Sequence, residues 1–357
     1  MAVETAALYA ARPEVTLDGR AHPALGEALL ALEIVEDLRG MARAEATFNN
    51  WGPARGGVGY LFFDRGALDF GKALGVRLGR DALFEGRVSA LEGDFPAGES
   101  PPRVTALVED RLQDLRMTRR TRAFERATDA DVVRRVAGEH GLRAEVELPG
   151  PAFEVLAQVN QSDLAFLQER AAARDADLWV EGRTLHARPR GGDATAPLRL
   201  ALQGDLWSFR VAADLAHQRT AVAVTGWDVS SRGPIRHEAG ASAVRGELGD
   251  DEGGAAALAR AFGERKDTVA HAAPATPAEA RALAEAAYRS MARRFVVGRG
   301  TARPDARLRA GRHVELEGLG PVFSGRYLLT EVRFVYDLEQ GMRVEFCAAR
   351  PGVGRRT

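Results

Sequence analysis

The chain has 357 residues, enough for two or three domains, and 45% hydrophobic residues supply material for sizeable cores. Its 49 basic and 50 acidic side chains leave a net charge of −1, which argues against a general nucleic-acid binder or a membrane-surface protein. A single cysteine, Cys347, excludes an intrachain disulfide, and no apolar run reaches the ~18 residues of a membrane-spanning helix.

The N-terminal stretch MAVETAALYAARPEV has no basic segment followed by an apolar one, so it does not read as a signal peptide. Residues 13–118 are β-rich. PEVTLDGR predicts a short strand with a turn at Asp18 and Gly19. LLALEIVEDLRG and MARAEATFNN alternate apolar and polar residues around Gly40, and ALGVRLG, LFEGRVSALEG and RVTALVED continue the meander.

The character changes over 119–195. TDADVVRRVAGEHG predicts a helix capped by Thr128, with Asp129 and Asp131 in its first turn and Gly141 ending it. QSDLAFLQERAAARD predicts a second helix, capped by Ser162, with Leu164, Phe166, Leu167 and Ala171 facing inward. ADLWVEGRTLHARP then reads as a hairpin turning at Glu181 and Gly182, and RGGDATAP as a linker.

From 197 the pattern returns to strands: LRLALQ, LWSFRVAA and TAVAVTGWDV. Residues 233–275 are poor in large apolar groups, which predicts a mobile arm or long loop. TPAEARALAEAAYRSMARRF carries a capping-box pattern at Thr276 and Glu279, with Pro277 first in the helix. Three strands close the chain: RHVELEG, VFSGRYLLTEVRFVYD and MRVEFCAAR.

One stretch echoes another. A shift of 239 residues lays Phe84 on Phe323, Gly86 on Gly325, Arg87 on Arg326, Glu92 on Glu331 and Phe95 on Phe334. With one residue of slippage Arg103 and Val104 fall on Arg343 and Val344, and upstream Gly71 and Lys72 resemble Gly311 and Arg312. Convergence among antiparallel strands is the plain explanation; two related β-barrels around an α/β unit is the sharper one. Strict alternation in 327–336 puts Leu328, Thr330, Val332, Phe334 and Tyr336 on one face. The other face, with Tyr327, Leu329, Glu331, Arg333 and Val335, mixes charged and apolar groups and suits a subunit interface or a lumen.

Motifs for chemistry are missing. No two of the seven histidines stand four apart, which excludes a HExxH zinc site. Gly240, Ser242 and Val244 fail the nucleophile-elbow pattern at its last position, and Gly71-Lys72 lacks the upstream glycine of a phosphate loop. Carboxylates are numerous, but solvated surface acids account for them. Arg116, Arg119, Arg120, Arg122 and Arg126 cluster, as a contact to DNA or an acidic neighbour, or as a solvated turn; balanced overall charge favours the turn. The four tryptophans, Trp51, Trp179, Trp207 and Trp227, read as anchors of strand packing, and Cys347 as a small core residue.

In order and spacing these pieces resemble the phage late-control D proteins, and the hub portion of type VI secretion spike proteins is similar. The resemblance covers nearly the whole chain and rests on LAQVNQSDLAFLQERAAARDADLWVEGRTLHARP (156–189), VAVTGWDVSSRGPI (222–235) and LRAGRHVELEGLGPVFSGRYLLTEVRFVYD (308–337). Arg333 departs from it where the family often has His. The implied fold is α+β, mostly β: a first tube-like β-barrel domain (1–118), a small α/β domain (119–196) and a second barrel domain (197–357). The implied function is a homotrimeric baseplate hub without catalytic residues, cofactor or metal. It joins the hexameric inner tube to a trimeric spike, because three chains of two barrels offer six similar seats. Expected partners are further copies of the chain, the inner tube protein, a separate spike protein (the chain ends at Thr357, directly after the second barrel) and other baseplate proteins, with no membrane and no specific nucleic acid. Assembly is expected in the bacterial cytoplasm, and the finished protein in a tail or injection particle. The candidates for repeat or interface roles are Phe84, Gly86, Arg87, Glu92, Phe323, Gly325, Arg326, Glu331 and Arg333. Two other readings are a tail-associated cell-wall hydrolase and a peptidoglycan-binding module built on 119–195.

Overall fold

The alternating segments become strands. In the computed structural model, which describes residues 12–54, 57–192, 195–228 and 231–354, the first segment forms β1 (Glu14–Leu17), β2 (Arg20–Ala21), α1 (Pro23–Ala28), β3 (Leu29–Asp37), β4 (Arg43–Asn49), β5 (Trp51–Ala54), β6 (Gly57–Tyr60), β7 (Ala73–Leu78), β8 (Asp81–Asp94) and β9 (Arg103–Glu109). Most of the stretch read for a leader, and the last three residues, lie outside the described residues. Asp18 and Gly19 both take positive φ, 49° and 78°, as the tight turn between β1 and β2 requires.

The middle segment contains α2 (Gln113–Arg116), β10 (Arg119–Ala127), α3 (Asp129–Glu139), β11 (Arg143–Val146), β12 (Phe153–Ser162), α4 (Asp163–Ala173), β13 (Ala176–Glu181) and β14 (Thr184–Pro189). The Thr128 hydroxyl accepts from the Asp131 N–H at 3.1 Å, and the Asp131 carboxylate accepts from the Thr128 N–H at 3.0 Å, closing a reciprocal cap on α3. Ser162 caps α4 from one side only, its hydroxyl accepting from the Ala165 N–H at 3.1 Å. Val132, Val133 and Val136 meet Leu164, Phe166, Leu167 and Ala171 in a separate core, where Phe124 stacks on Phe166.

The last segment runs β15 (Leu198–Ala201), β16 (Leu206–Ala213), β17 (Ala221–Asp228), β18 (Gly233–Gly240), a 3-10 turn (Ala241–Val244), α5 (Arg245–Leu248), β19 (Glu252–Gly253), α6 (Gly254–Phe262), β20 (Lys266–Val269), α7 (Pro277–Arg293), β21 (Val296–Ala302), β22 (His313–Glu317), α8 (Gly320–Phe323), β23 (Gly325–Asp337), β24 (Gly341–Arg350) and β25 (Gly352–Val353). The region expected as a long loop, 233–275, therefore holds strands and helices. Its small side chains pack instead of leaving a gap: Ile235, Ala239 and Val244 lie against Ala280, Ala284 and Tyr288 of α7, with β18 and β20 flanking β17.

The class is α+β, mostly β, as expected. The two β units are not closed separately, however. A single 13-stranded sheet follows the order β16-β21-β24-β23-β3-β4-β9-β8-β7-β1-β2, with β22 beside β23 and β15 beside β22. The order β3-β4-β9-β8-β7 is thus repeated as β16-β21-β24-β23-β22. The irregularities repeat too. A bulge at Ser89 interrupts β8 against β9, and one at Thr330 interrupts β23 against β24; both hydroxyls donate to a carbonyl of the facing strand, Leu107 and Cys347. A second pair of bulges falls at Leu30 in β3 and Trp207 in β16. Gly71 and Lys72 exchange backbone hydrogen bonds with Val88, as Gly311 and Arg312 do with Leu329.

The middle unit is tied down by charge. Arg293 of α7 donates two hydrogen bonds to Asp175, at 2.6 and 2.8 Å, and two more to Glu247. Arg293 and Asp175 are both buried. Gly40 lies so close to the Leu178 carbonyl that a Cβ would sit 1.5 Å from it. Removing one partner of a buried ion pair leaves an uncompensated charge. Asp175→Ala is therefore expected to lower stability by about 3 kcal/mol in urea denaturation, whereas Asp131→Ala on the exposed cap should cost about 1 kcal/mol.

Candidate interaction surface

Where the two halves of the sheet meet, β23 lies antiparallel to β3, from Glu331 opposite Asp37 to Asp337 opposite Ala31. The Thr330 bulge controls which side chains point inward. Before it Tyr327, Leu328 and Leu329 are all buried, but only Tyr327 and Leu329 belong to the main core; after it the main-core set is Val332, Phe334 and Tyr336. Strict alternation had put these residues on opposite faces, and one inserted residue reverses the phase. Val332, Phe334 and Tyr336 pack with Leu32 and Ile34 in the main core.

The outer side of this seam is charged. Glu33, Val35, Asp37, Arg43, Glu45, Glu331 and Arg333 line a shallow depression across β3, β4 and β23. Arg333 pairs with Glu33, and Arg343 holds Asp337 at 2.7 Å and Glu345 at 3.0 Å. Cys347 belongs to this half-buried side, not to the core: it stands opposite Glu331, and burial pushes its thiol up. At the end of the seam Arg309 pairs with Glu36 and donates to the carbonyls of Leu83 (2.6 Å) and Ala82 (2.8 Å), with its guanidinium 5.4 Å from the Phe334 ring centre. Burial raises Glu36 above the ordinary carboxylate range, and Arg309 opposes that.

The other candidates from the sequence are spread along the same two strands. Phe84 is buried, and a Cβ on Gly86 would come within 2.5 Å of the Glu109 carbonyl oxygen, so only glycine fits that crossing. Arg87 pairs with Asp114. Glu92 is exposed, Phe323 and Gly325 are half-buried, and Arg326 is exposed opposite Glu315. The ladder makes Val88 equivalent to Leu329, not to the residue 239 positions on. The equivalence is therefore shifted by two from the sequence echo: Gly86 matches Tyr327, and Glu92 matches Arg333. A shift of two preserves the face of every side chain, so the misalignment was invisible to alternation.

The arginine cluster is not a solvated turn: Arg119, Arg120, Arg122 and Arg126 lie on β10, and three of the five arginines pair inside the chain. Arg122 pairs with Asp163 (2.7 Å) and Glu139 (2.5 Å), Arg120 with Asp163, and Arg116 with Glu109. Two tryptophans are not packing anchors: Trp227 is exposed, and Trp51 joins an exposed aromatic group with Tyr60, Phe63 and Phe95, whose successive ring centres are 5.2–5.5 Å apart. Composition cannot reveal such a patch, because each ring is apolar wherever it sits. Among the described residues no three potential metal ligands converge, and no helix is long and apolar enough to cross a membrane.

The family described as the Alg8 N-terminal domain matches residues 74–337. Solved structures share the fold across nearly the whole chain. The 43 kDa tail protein of prophage MuSo2 from Shewanella oneidensis superposes with a TM-score of 0.72 at 14% identity, covering 95% of this chain and 98% of that one. A tail protein from Neisseria meningitidis MC58 gives 0.68 at 13%, with 96% and 97% covered. The E. coli c3393 protein, a type VI secretion system component, gives 0.59 at 14%, with 96% and 79% covered. None of the curated proteins matches the sequence.

Two measurements test the seam. The Arg333–Glu33 pair is partly exposed, so a double-mutant cycle with Ala at both positions should return a coupling of only about 0.5–1 kcal/mol. Asp110, beside the seam, is pushed up to about 7 by burial, against the N–H groups of Ala42 and Leu112 that it accepts at 2.7 and 2.8 Å. Its folded pKa exceeds its unfolded value of 3.8, so the folded state holds the extra proton and this contribution is lost as pH rises. Stability relative to Asp110→Asn should fall between about pH 4 and about pH 7; a flat or rising difference would exclude that titration.

Proposed function

The chain belongs to the family described as the Alg8 N-terminal domain, and from its doubled sheet and the fold it shares with tail proteins we propose that it is the structural hub of a contractile phage tail or phage-tail-like injection system. In this reading three copies form a ring that joins a sixfold inner tube to a threefold spike. The carrying observation is the repeat: each chain holds the same five-strand order twice, with bulges at matching rungs. Three such chains present six similar units while their true symmetry stays threefold.

The shared fold with prophage tail proteins and a type VI secretion component supports the reading. The partners proposed are the inner tube protein, a separate spike protein and other baseplate proteins, after assembly in the bacterial cytoplasm. The proposed units are 1–118, 119–196 and 197–357, the first and last joined through one sheet. The role is mechanical. The ring carries force from tube to spike through strand ladders and the Arg293–Asp175 tie, and no step of bond chemistry is assigned to it. The perturbed carboxylates fit this: Glu36 is held by Arg309, and Asp110 by two backbone N–H groups.

The test is the native mass of the pure protein, with imaging of its complexes with tube and spike proteins. Three times 38.4 kDa and rings of threefold symmetry are expected. A monomer at high concentration that binds neither partner would overturn the reading, as would peptidoglycan cleavage abolished by replacing a single Asp or Glu.

A further inference from the structure

The seam between β3 and β23 has a counterpart that the chain leaves open. In the repeat, β16 takes the place of β3, and β8 takes the place of β23. Among the described residues β3 is paired on both edges, to β4 and β23, whereas β16 from Ser208 onward is paired only to β21. The C-terminal part of β23 is paired on both edges, to β24 and β3; the same part of β8, from Ala90 to Asp94, is paired only to β9. The two free edges are the two halves of a second seam.

Burial agrees. On β3, Leu32 and Ile34 are 2% and 0% exposed; their equivalents on β16, Phe209 and Val211, are only half-buried. Tyr336, which covers Leu32 within the chain, is 6% exposed, while its equivalent Phe95 is 61% exposed and heads the aromatic group with Tyr60, Phe63 and Trp51. The apolar side of the missing seam is present on both edges, uncovered.

The charges complete the match. Within the chain Arg333 of β23 pairs with Glu33 of β3. The rungs equivalent to these carry Glu92 on β8 and Arg210 on β16: the same pair with its signs exchanged. Both side chains are exposed, and among the described residues neither has an ion pair within the chain. Asp94 falls directly opposite Arg210 in this register.

We propose that β16 of one copy pairs edge to edge with the C-terminal half of β8 of a second copy, with Arg210 meeting Glu92 and Asp94 of the partner subunit and Phe209 covered by Phe95 of the partner subunit. The contact is head-to-tail, so each copy has one donor and one acceptor edge, and repetition closes a ring in which seams within a chain and seams between chains alternate. The proposal deepens the hub reading and rests on it.

The test compares oligomer dissociation by sedimentation for the wild type, for Arg210→Glu, and for Arg210→Glu combined with Glu92→Arg and Asp94→Arg. Like charges placed across a seam oppose association. Arg210→Glu should weaken assembly at least about tenfold, and the triple variant should recover most of it, with unchanged circular dichroism in all three. In a Cys347→Ser background, Arg210→Cys with Asp94→Cys should form disulfide-linked chains up to the size of the native ring. A ring that assembles, ignores the charge reversal and yields no cross-link would overturn the seam and leave the hub reading standing. A protein that never associates, alone or with tube and spike, would overturn both.

Discussion

One strand pairing makes this chain a single object. β3, near the start, and β23, near the end, pair along seven rungs, and among the described residues every other strand of the main sheet reaches the opposite half only through them. The seam is apolar inside, where Leu32, Ile34, Phe334 and Tyr336 exclude water, and charged outside, where Arg333 and Glu33 fix which residues face each other. The inner side supplies the stabilisation and the outer side the register, because a slip of one residue would bury the charges and expose the rings. Arg309 closes one end by touching Glu36 of the first strand and two carbonyls at the start of β8.

Much of this was legible in the amino-acid order. Period-two alternation located most strands of the main sheet but missed β21, and missed β10 and β12 of the middle unit; Thr128 and Ser162 announced their helices, and the likeness of Leu83–Phe95 to Val322–Asp337 pointed to equivalent strands. The residue-by-residue match was displaced by two because shared glycines and aromatics were aligned, whereas the ladder is anchored by bulges at Ser89 and Thr330. A bulge is a property of backbone pairing, and neither residue type proclaims it. The same blindness put Cys347 in the core and Leu328 on the same face as Val332.

The long segment at 233–275 shows a different limit. Low apolar content suggests a loop when each residue is weighed alone. Here alanines are core residues: Ala280 and Ala284 of α7 are fully buried and pack with Val222, Val224, Ile235 and Ala239 of β17 and β18. The arginine cluster shows a related limit: balanced charge favoured a solvated turn, yet Asp163, buried and lowered in pKa despite its burial, lies between Arg120, Arg122 and His140.

The separation of the two seam strands bears on synthesis. Arg333 and Glu33 are 300 residues apart, so the contact has a very high sequence separation and forms only when almost the entire chain has been made. Until then β3 offers a free edge, the condition under which nascent chains pair with the wrong neighbour. Glu33 and Asp37 lie on the outer face of that edge. On one face of the strand they repel an identical strand, so the acids that later set the register first act as a guard on the unfinished molecule.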